Sequence, residues 1–426
     1  MIDIDVAKGL MVAVDHGFDE QVAFTQQLVK FPTTRGSEQT AQDFMATELR
    51  RRGYGVDRWR IDVADIENLP GYSIVDTSYE NTINVVGAHR ADTVKGKSLI
   101  LNGHIDVVPA GPLDMWNTPP FEPLIDDGWM HGRGAGDMKS GLVAAVFAMD
   151  AITRAGYRPT ADVFVESVVE EECTGNGALA CLQRGYRADA ALIPEPRGES
   201  LLSAQLGVMW FQVSVRGRPV HAQRASEAAN AIECAFELIQ ALKRLEAKWN
   251  AEKKDHPDFA DHPHPVNFNL GKIQGGDWAS SVPAWCVFDM RVGVYPGDDL
   301  DARRAEIATC IEEAAAANPF LRTTPPVIRY NGFLAEGYRL VDAGAAEQAL
   351  GAAHTAVRGD ALQREAITAT TDARFFGLYG GMPALVYGPH AENIHGFDER
   401  VDLESVRRTT QTIALFIAEW CGLEGG

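Results

Sequence analysis

Five residues, His104, Asp137, Glu172, Glu195 and His395, have the types and spacing to hold two divalent cations, and a further carboxylate, Glu171, stands beside one of them. Mixed imidazole and carboxylate donors suit such cations, and one carboxylate can bridge a pair of ions. Bound cations polarise carbonyls and acidify water, which is the chemistry of a hydrolase.

Each residue sits in a context that could deliver a ligand. In LILNGHIDVVP, His104 and Asp106 stand at i and i+2 at the end of an apolar strand, so both can face one crevice. The pairing predicts His104 as a ligand and Asp106 as partner of its other ring nitrogen. A plain hydrogen-bonded pair is the simpler alternative. HGRGAGDMKSG delivers Asp137 at a helix start, where a carboxylate could also act as a cap without metal. Its three glycines around Arg133 exceed what a cap requires, and Asp137 is expected to bridge the ions.

ESVVEEECTGNGA sets Glu170, Glu171 and Glu172 side by side after an apolar strand, where they repel one another unless cations neutralise them. Alternation sends Glu171 and Glu172 to different sides, one toward metal and one toward water. Glu195 closes another strand in ALIPEP, and His395 lies in the loop AENIHGFDERV before the last helix. An acidic loop, a turn carboxylate and a loop histidine are their simpler alternatives.

The elements that must position these groups alternate. A helix from roughly Asp19, the turn FPTTRGSE and a second helix ending at Arg51-Arg52-Gly53 come first. Apolar strands NTINVVGAHR, KSLILNGHIDVVP, ADVFVESVVEEE and ADAALIPEP then interleave with helices SGLVAAVFAMDAITRAG and GNGALACLQRGY. This pattern predicts an α/β domain with a mostly parallel sheet and helices on both faces. Near Leu206 the order becomes β-α-β-β-α-β, a two-layer, ferredoxin-like insert. The predicted organisation is therefore 1–205 and 336–426 as one domain, with 206–335 inserted. AEKKDHPDFADHPHP reads as a solvated excursion of that insert despite its three histidines.

Composition narrows the function classes. A chain of 426 residues predicts two domains, and 46% hydrophobic with 23% charged residues is the make-up of a soluble globular protein. A net charge of −20 argues against nucleic acid or an anionic membrane surface as partner. Asp3 and Asp5 make the N-terminal stretch a poor signal peptide, and no apolar run approaches the roughly 20 residues of a membrane span. Six dispersed cysteines without a CxxC pair read as reduced thiols of a cytoplasmic protein.

The stretches GHIDVVP, GRGAGDMKSG, the paired glutamates of VVEEECTGNG, the glutamate of IPEP, and IHGFDE occur in this order along nearly the whole chain. In this the chain resembles the dinuclear-zinc family of acetylornithine deacetylase, succinyl-diaminopimelate desuccinylase, aminoacylase and glutamate carboxypeptidase. The resemblance implies one metal on His104 and Glu195, the other on Glu172 and His395, Asp137 between them, Glu171 as general acid/base and Asp106 orienting His104. It implies two Zn2+ ions, with Co2+ or Mn2+ as substitutes. It further implies that the insert is a lid and the seat of a homodimer.

In the lid, His221 of GRPVHAQ stands where the family binds the substrate carbonyl, often across the dimer, and Arg291 of DMRVGV where related enzymes bind a substrate carboxylate. Ser280 of GGDWASSVP replaces a frequent Asn, and His390 of YGPHAEN a frequent Gly. Thr371, Asp372 and Arg374 of TATTDARFFG resemble the loop lining the substrate pocket. For these, a buried histidine, a salt-bridged arginine and a capped turn are the structural alternatives.

The parts predict that a water bridging two cations loses its proton to Glu171, that the resulting hydroxide attacks an amide carbonyl, and that Glu171 returns the proton to the leaving nitrogen. SVVEEE, LGVMWFQVSVRG and GGDWASSVPAW are most similar to a bacterial branch of acetylornithine deacetylases and formyl-aminopyrimidine deformylases. The expected substrate is thus a small N-formyl or N-acetyl amine or amino acid. A dipeptidase or carboxypeptidase, or a hydrolase of an unusual aromatic or conjugated amide or other C–N bond, is the alternative on the same centre. A silent binding paralogue would lack Glu171 or a ligand, and none is missing.

Overall fold

Every residue of the strands Leu99–His104, Val163–Val168 and Ala190–Ile193 is buried, as only strands covered on both faces can be. In the computed structural model, which describes residues 2–426, they form the middle of a six-stranded sheet. Its order is Gly55–Arg60, Ile83–His89, Val163–Val168, Leu99–His104, Ala190–Ile193, Ala384–Val386. The last four strands run parallel, and the first two join antiparallel at one edge. The helices Ile4–Val29, Ser140–Arg154, Gly344–Arg358 and Leu403–Cys421 pack on one another as a layer, while Gln39–Arg51 and Asn176–Gln183 lie against other strands.

The first helix begins at Ile4, well before the expected start near Asp19. Its start is set by Asp3, whose side chain accepts the Asp5 backbone N–H at 2.8 Å as an N-cap. The acidic opening is therefore a helix start.

The insert has the expected strand-helix-strand-strand-helix-strand order. Its antiparallel four-stranded sheet runs Phe268–Gly275, Trp285–Val294, Gly207–Arg216, Val327–Ala335. One face packs Met209, Phe211 and Val213 beneath the helices Ala231–Ala251 and Leu300–Ala317, giving the lid a core of its own. The histidine-rich excursion forms short exposed turns, and His264 is taken up by Glu246 at 3.2 Å. Among the described residues no helix is long and apolar enough to cross a membrane.

Candidate metal centre

Parallel strands collect ligand-bearing loops at their carboxyl ends. His104 is the last residue of its strand, Glu171 and Glu172 lie in the turn after Val168, and Glu195 follows Ile193 by two positions. Asp137 comes from the irregular turn before the helix Ser140–Arg154, and His395 from the loop between Ala384–Val386 and Leu403–Cys421. Close packing requires glycine here. A Cβ on Gly141 would stand 1.9 Å from the Pro194 carbonyl oxygen, and one on Gly388 2.2 Å from that of Glu195.

The five expected ligands meet. Asp137 presents Oδ1 to His104 Nε2 at 3.1 Å and Oδ2 to His395 Nε2 at 3.3 Å, so one carboxylate spans both histidines. Glu195 Oε1 lies 3.6 Å from His104 Nε2, and Glu172 Oε2 3.1 Å from His395 Nε2. Glu171 Oε2 is 3.8 Å from His104 Nε2, while its Oε1 is buried without a partner. Donor atoms of His104, Glu171 and Glu195, and of His104, Asp137 and Glu172, lie within 4.8 Å of one another.

Three local expectations change. The strand ends at Val168, so Glu171 and Glu172 are separated by a turn and not by strand alternation. Asp137 has non-helical backbone angles and caps nothing, because the helix proper starts at Ser140. Asp106 meets His104 Nδ1 through its backbone oxygen at 3.0 Å, its carboxylate standing 3.7 Å away. That carboxylate instead accepts the backbone N–H groups of Glu171 at 3.4 Å and Glu172 at 3.1 Å, fixing the glutamate turn.

The triple glutamate is relieved of one charge by a cation absent from the sequence reading. Glu170 is held by Arg35 through Nε at 2.5 Å and Nη2 at 2.8 Å, and by the Tyr79 hydroxyl at 2.6 Å. Only Glu171 and Glu172 remain for the centre.

Glu399 and Arg133 also escaped the sequence reading. Buried Glu399 accepts N–H groups from Gly134, Gly136 and Asp137 on Oε1 at 3.0, 3.0 and 3.1 Å, and pairs with Arg133 through Oε2. Arg133 in turn donates to the Gly396 carbonyl at 2.9 Å and lies 5.2 Å from the Trp116 ring centroid. His395 needs such support, since Asn393, His395 and Asp398 all take positive φ (56°, 62° and 56°). The available signals were an arginine among glycines and a glutamate four positions after the histidine.

Electrostatics matches a cation site. Burial opposes charge on His104, but Asp137, Glu195, Glu171 and Asp106 overcome it and raise the imidazole pKa well above its ordinary value. Burial likewise opposes charge on Asp137, yet its two histidine partners hold it far below the usual carboxylate range. Burial, reinforced by neighbouring carboxylates that include Asp372, pushes Glu171 and Glu195 well up. Burial pushes Asp106 up to about 7. Carboxylates so packed repel unless cations offset them, and this donor set fits divalent ions.

The expected substrate residues fall into separate groups. His221 and Ser280 lie together at an exposed lid edge, where Ala222 N–H donates to the Ser280 carbonyl at 2.9 Å. Neither hydrogen-bonds to the metal cluster among the described residues. Arg291 is largely desolvated, and its Nη2 donates to the Thr368 carbonyl at 3.3 Å. Thr371 bonds Gln205 at 2.7 Å, and buried Arg374 bonds the carbonyls of Thr174 and Thr371, both at 3.0 Å. His390 packs on Trp129 with centroids 5.6 Å apart.

The donor set suits divalent metal ions, and the fold is that of solved structures that cover almost the whole chain. The chain belongs to the Peptidase family M20/M25/M40, whose model matches residues 100–419, and it is accordingly a hydrolase of amide C–N bonds. It is 29% identical over 446 residues to an N-formyl-4-amino-5-aminomethyl-2-methylpyrimidine deformylase of Halalkalibacterium halodurans, covering 99% of both chains. It is 25% identical over 405 residues to a succinyl-diaminopimelate desuccinylase of Acidovorax ebreus, covering 90% of this chain and 93% of that one. Among solved structures, the di-peptidase Dug1p of Saccharomyces cerevisiae matches with a TM-score of 0.77 at 16% identity, covering 97% of this chain and 98% of the other. At that identity the likeness speaks for the fold alone.

Proposed function

We propose that the protein hydrolyses the amide bond of a small N-formyl or N-acetyl amine, with formyl first. The observation that carries this reading is the Asp137 carboxylate spanning His104 and His395, with Glu171 beside His104 and one oxygen free. Its similarity to a deformylase over 99% of both chains supports the formyl choice.

In this reading His104 and Glu195 hold one ion, Glu172 and His395 the other, and Asp137 bridges them. Two zinc ions are the proposed complement, with cobalt or manganese as substitutes. When bound, they would polarise the amide carbonyl and make water more acidic. Glu171 stands close enough to His104 to serve as a ligand too, but its unpartnered oxygen suits a proton carrier. It takes the proton from water, holds it within a buried site that favours the protonated acid, and delivers it to the leaving nitrogen. Asp106 keeps the Glu171–Glu172 turn in place and fixes His104 through its carbonyl.

The lid, taken as residues 206–335, would close over the site and pair two copies. Its edge strand Phe268–Gly275 and Phe236, 52% exposed, support a dimer through this face, bringing His221 and Ser280 to the partner. Six free cysteines support a cytoplasmic setting. Among the described residues Arg291 has no carboxylate partner, which favours an N-acyl amino acid or dipeptide as the second reading. In that reading Thr371 and Arg374 act by shaping the pocket loop, given their internal bonds.

A screen of metal-loaded protein against N-formyl, N-acetyl and N-succinyl amines and dipeptides, read as free-amine release with Glu171→Ala alongside, tests the proposal. Turnover of formamides that disappears in the variant supports it. Turnover of dipeptides alone overturns it.

A further inference from the structure

Two of the expected ligands are followed, four positions on, by a buried glutamate. His395 is followed by Glu399, and Glu195 by Glu199. Glu399 is the acid that Arg133 and backbone donors hold beside Asp137. Glu199 faces the helix layer instead, and is held at least as firmly. Its Oε1 accepts from Arg408 Nε at 2.9 Å, and its Oε2 from Arg408 Nη2 at 2.7 Å and Arg358 Nη1 at 2.8 Å. Arg358 ends the helix Gly344–Arg358, and Arg408 lies in the first turns of Leu403–Cys421. One carboxylate thus ties the Glu195 turn to both helices.

The backbone of this turn is shaped for that contact. Gly198 and Glu199 take positive φ, 59° and 63°, and for glutamate, which carries a Cβ, that conformation costs free energy. Their N–H groups donate to the carbonyls of Pro389 at 2.9 Å and Gly388 at 2.8 Å. Gly388 in turn lies against the Glu195 carbonyl so closely that no side chain fits between them. Ser200 closes the turn, its N–H and hydroxyl donating to the Arg197 carbonyl at 3.2 and 2.7 Å. A strained residue persists only where its surroundings over-determine it, and here they do so with two guanidinium groups. Three residues separate Glu195 from this anchor, so the place of its carboxylate follows that of Glu199.

Resting on the two-ion reading of the centre, we propose that Glu199 is the positioning residue for the ion held by His104 and Glu195. It acts through Glu195 and touches neither ion nor substrate. The two ions are then anchored separately, Glu195 by Glu199 with Arg358 and Arg408, and His395 by Glu399 with Arg133. One ion can be loosened while the other stays.

Metal content of the zinc-loaded protein, measured after dialysis against a graded series of a weak chelator, tests this. Wild type should retain two ions and Glu199→Gln one, the affinity for the other falling about 10- to 100-fold. Single-ion backgrounds show through which ligand Glu199 acts. In Glu172→Ala, where His104, Glu195 and Asp137 hold the remaining ion, adding Glu199→Gln should loosen that ion by the same factor. In Glu195→Ala it should change nothing. Arg358→Met leaves both Arg408 bonds in place and should give the same pattern with a smaller loss, should Glu199→Gln fail to fold. Arg52→Met breaks an ion pair with Asp150 near the far end of the helix Ser140–Arg154, and should lower the melting temperature while both ions stay. A Glu199→Gln protein that keeps both ions as tightly as wild type overturns the proposal and leaves the two-ion centre standing. Equal weakening in both single-ion backgrounds also overturns it, since Glu199 would then act on the fold as a whole. Wild type that takes up a single ion overturns the two-ion reading, and the proposal with it.

Discussion

Glu399 accepts the backbone N–H of Asp137 at 3.1 Å, so the loop that presents His395 also fixes the loop whose carboxylate spans the two histidines. Asp137 and His395, more than 250 residues apart in the sequence, are thereby held as one unit, with Arg133 neutralising the buried acid and bonding the Gly396 carbonyl. The geometry of the centre depends on this clamp as well as on the ligands themselves.

Removing one partner of a buried pair strands the other charge, at a cost of about 3–5 kcal/mol. Glu399→Ala and Arg133→Met should each lower the melting temperature and loosen metal binding, read as metal retained after dialysis against a weak chelator. Glu399→Gln combined with Arg133→Met should lose less than the sum of its single changes, because no unpaired charge remains. Full metal retention in Glu399→Ala would remove the clamp from the account.

Glu171→Gln keeps the shape of the side chain and removes its capacity to carry a proton. Metal content should stay close to wild type while kcat falls by about 10²- to 10⁴-fold, the usual range for a general acid–base group. If metal content collapses together with activity, Glu171 is a ligand, as its 3.8 Å approach to His104 Nε2 would allow.

Glu166, fully buried in the strand Val163–Val168, accepts from Asn102 at 3.1 Å, and burial raises its pKa to about 8 from an ordinary 4.5. The folded protein thus keeps a proton that the unfolded chain has lost, and stability from this group is present below pH 4.5 and fades as pH rises toward about 8. Relative to Glu166→Gln, the wild type should lose stability across this window, by at most about 1.4 kcal/mol per pH unit. Denaturant melts of both proteins at pH 5, 6.5 and 8 read the difference directly. A constant gap contradicts the assignment.

What could be read from the sequence followed from local pattern. Buried strands, the small-residue helix Ser140–Arg154 and the β-α-β-β-α-β insert all carry their periodicity within a few residues of chain. The ligands were legible because each lies at a strand end or glycine turn. What stayed hidden depends on contacts between distant segments. Glu170 reads as a third acid of the centre until Arg35, 135 positions away, is seen to hold it. The clamp joins Glu399 to Arg133 across 266 positions. Asp106 illustrates a subtler gap, since spacing places it beside His104 but does not say whether its carbonyl or its carboxylate makes the contact.

The central claim is a centre of two ions bridged by Asp137 that hydrolyses an amide. Chelator-stripped protein titrated with Zn2+ while free amine is released from an N-formyl amine tests this most directly. Activity should climb to a plateau at about two equivalents per chain in wild type, and Asp137→Ala should show no such plateau at any loading. Full activity at one equivalent, or a plateau unchanged by the loss of Asp137, would contradict the account.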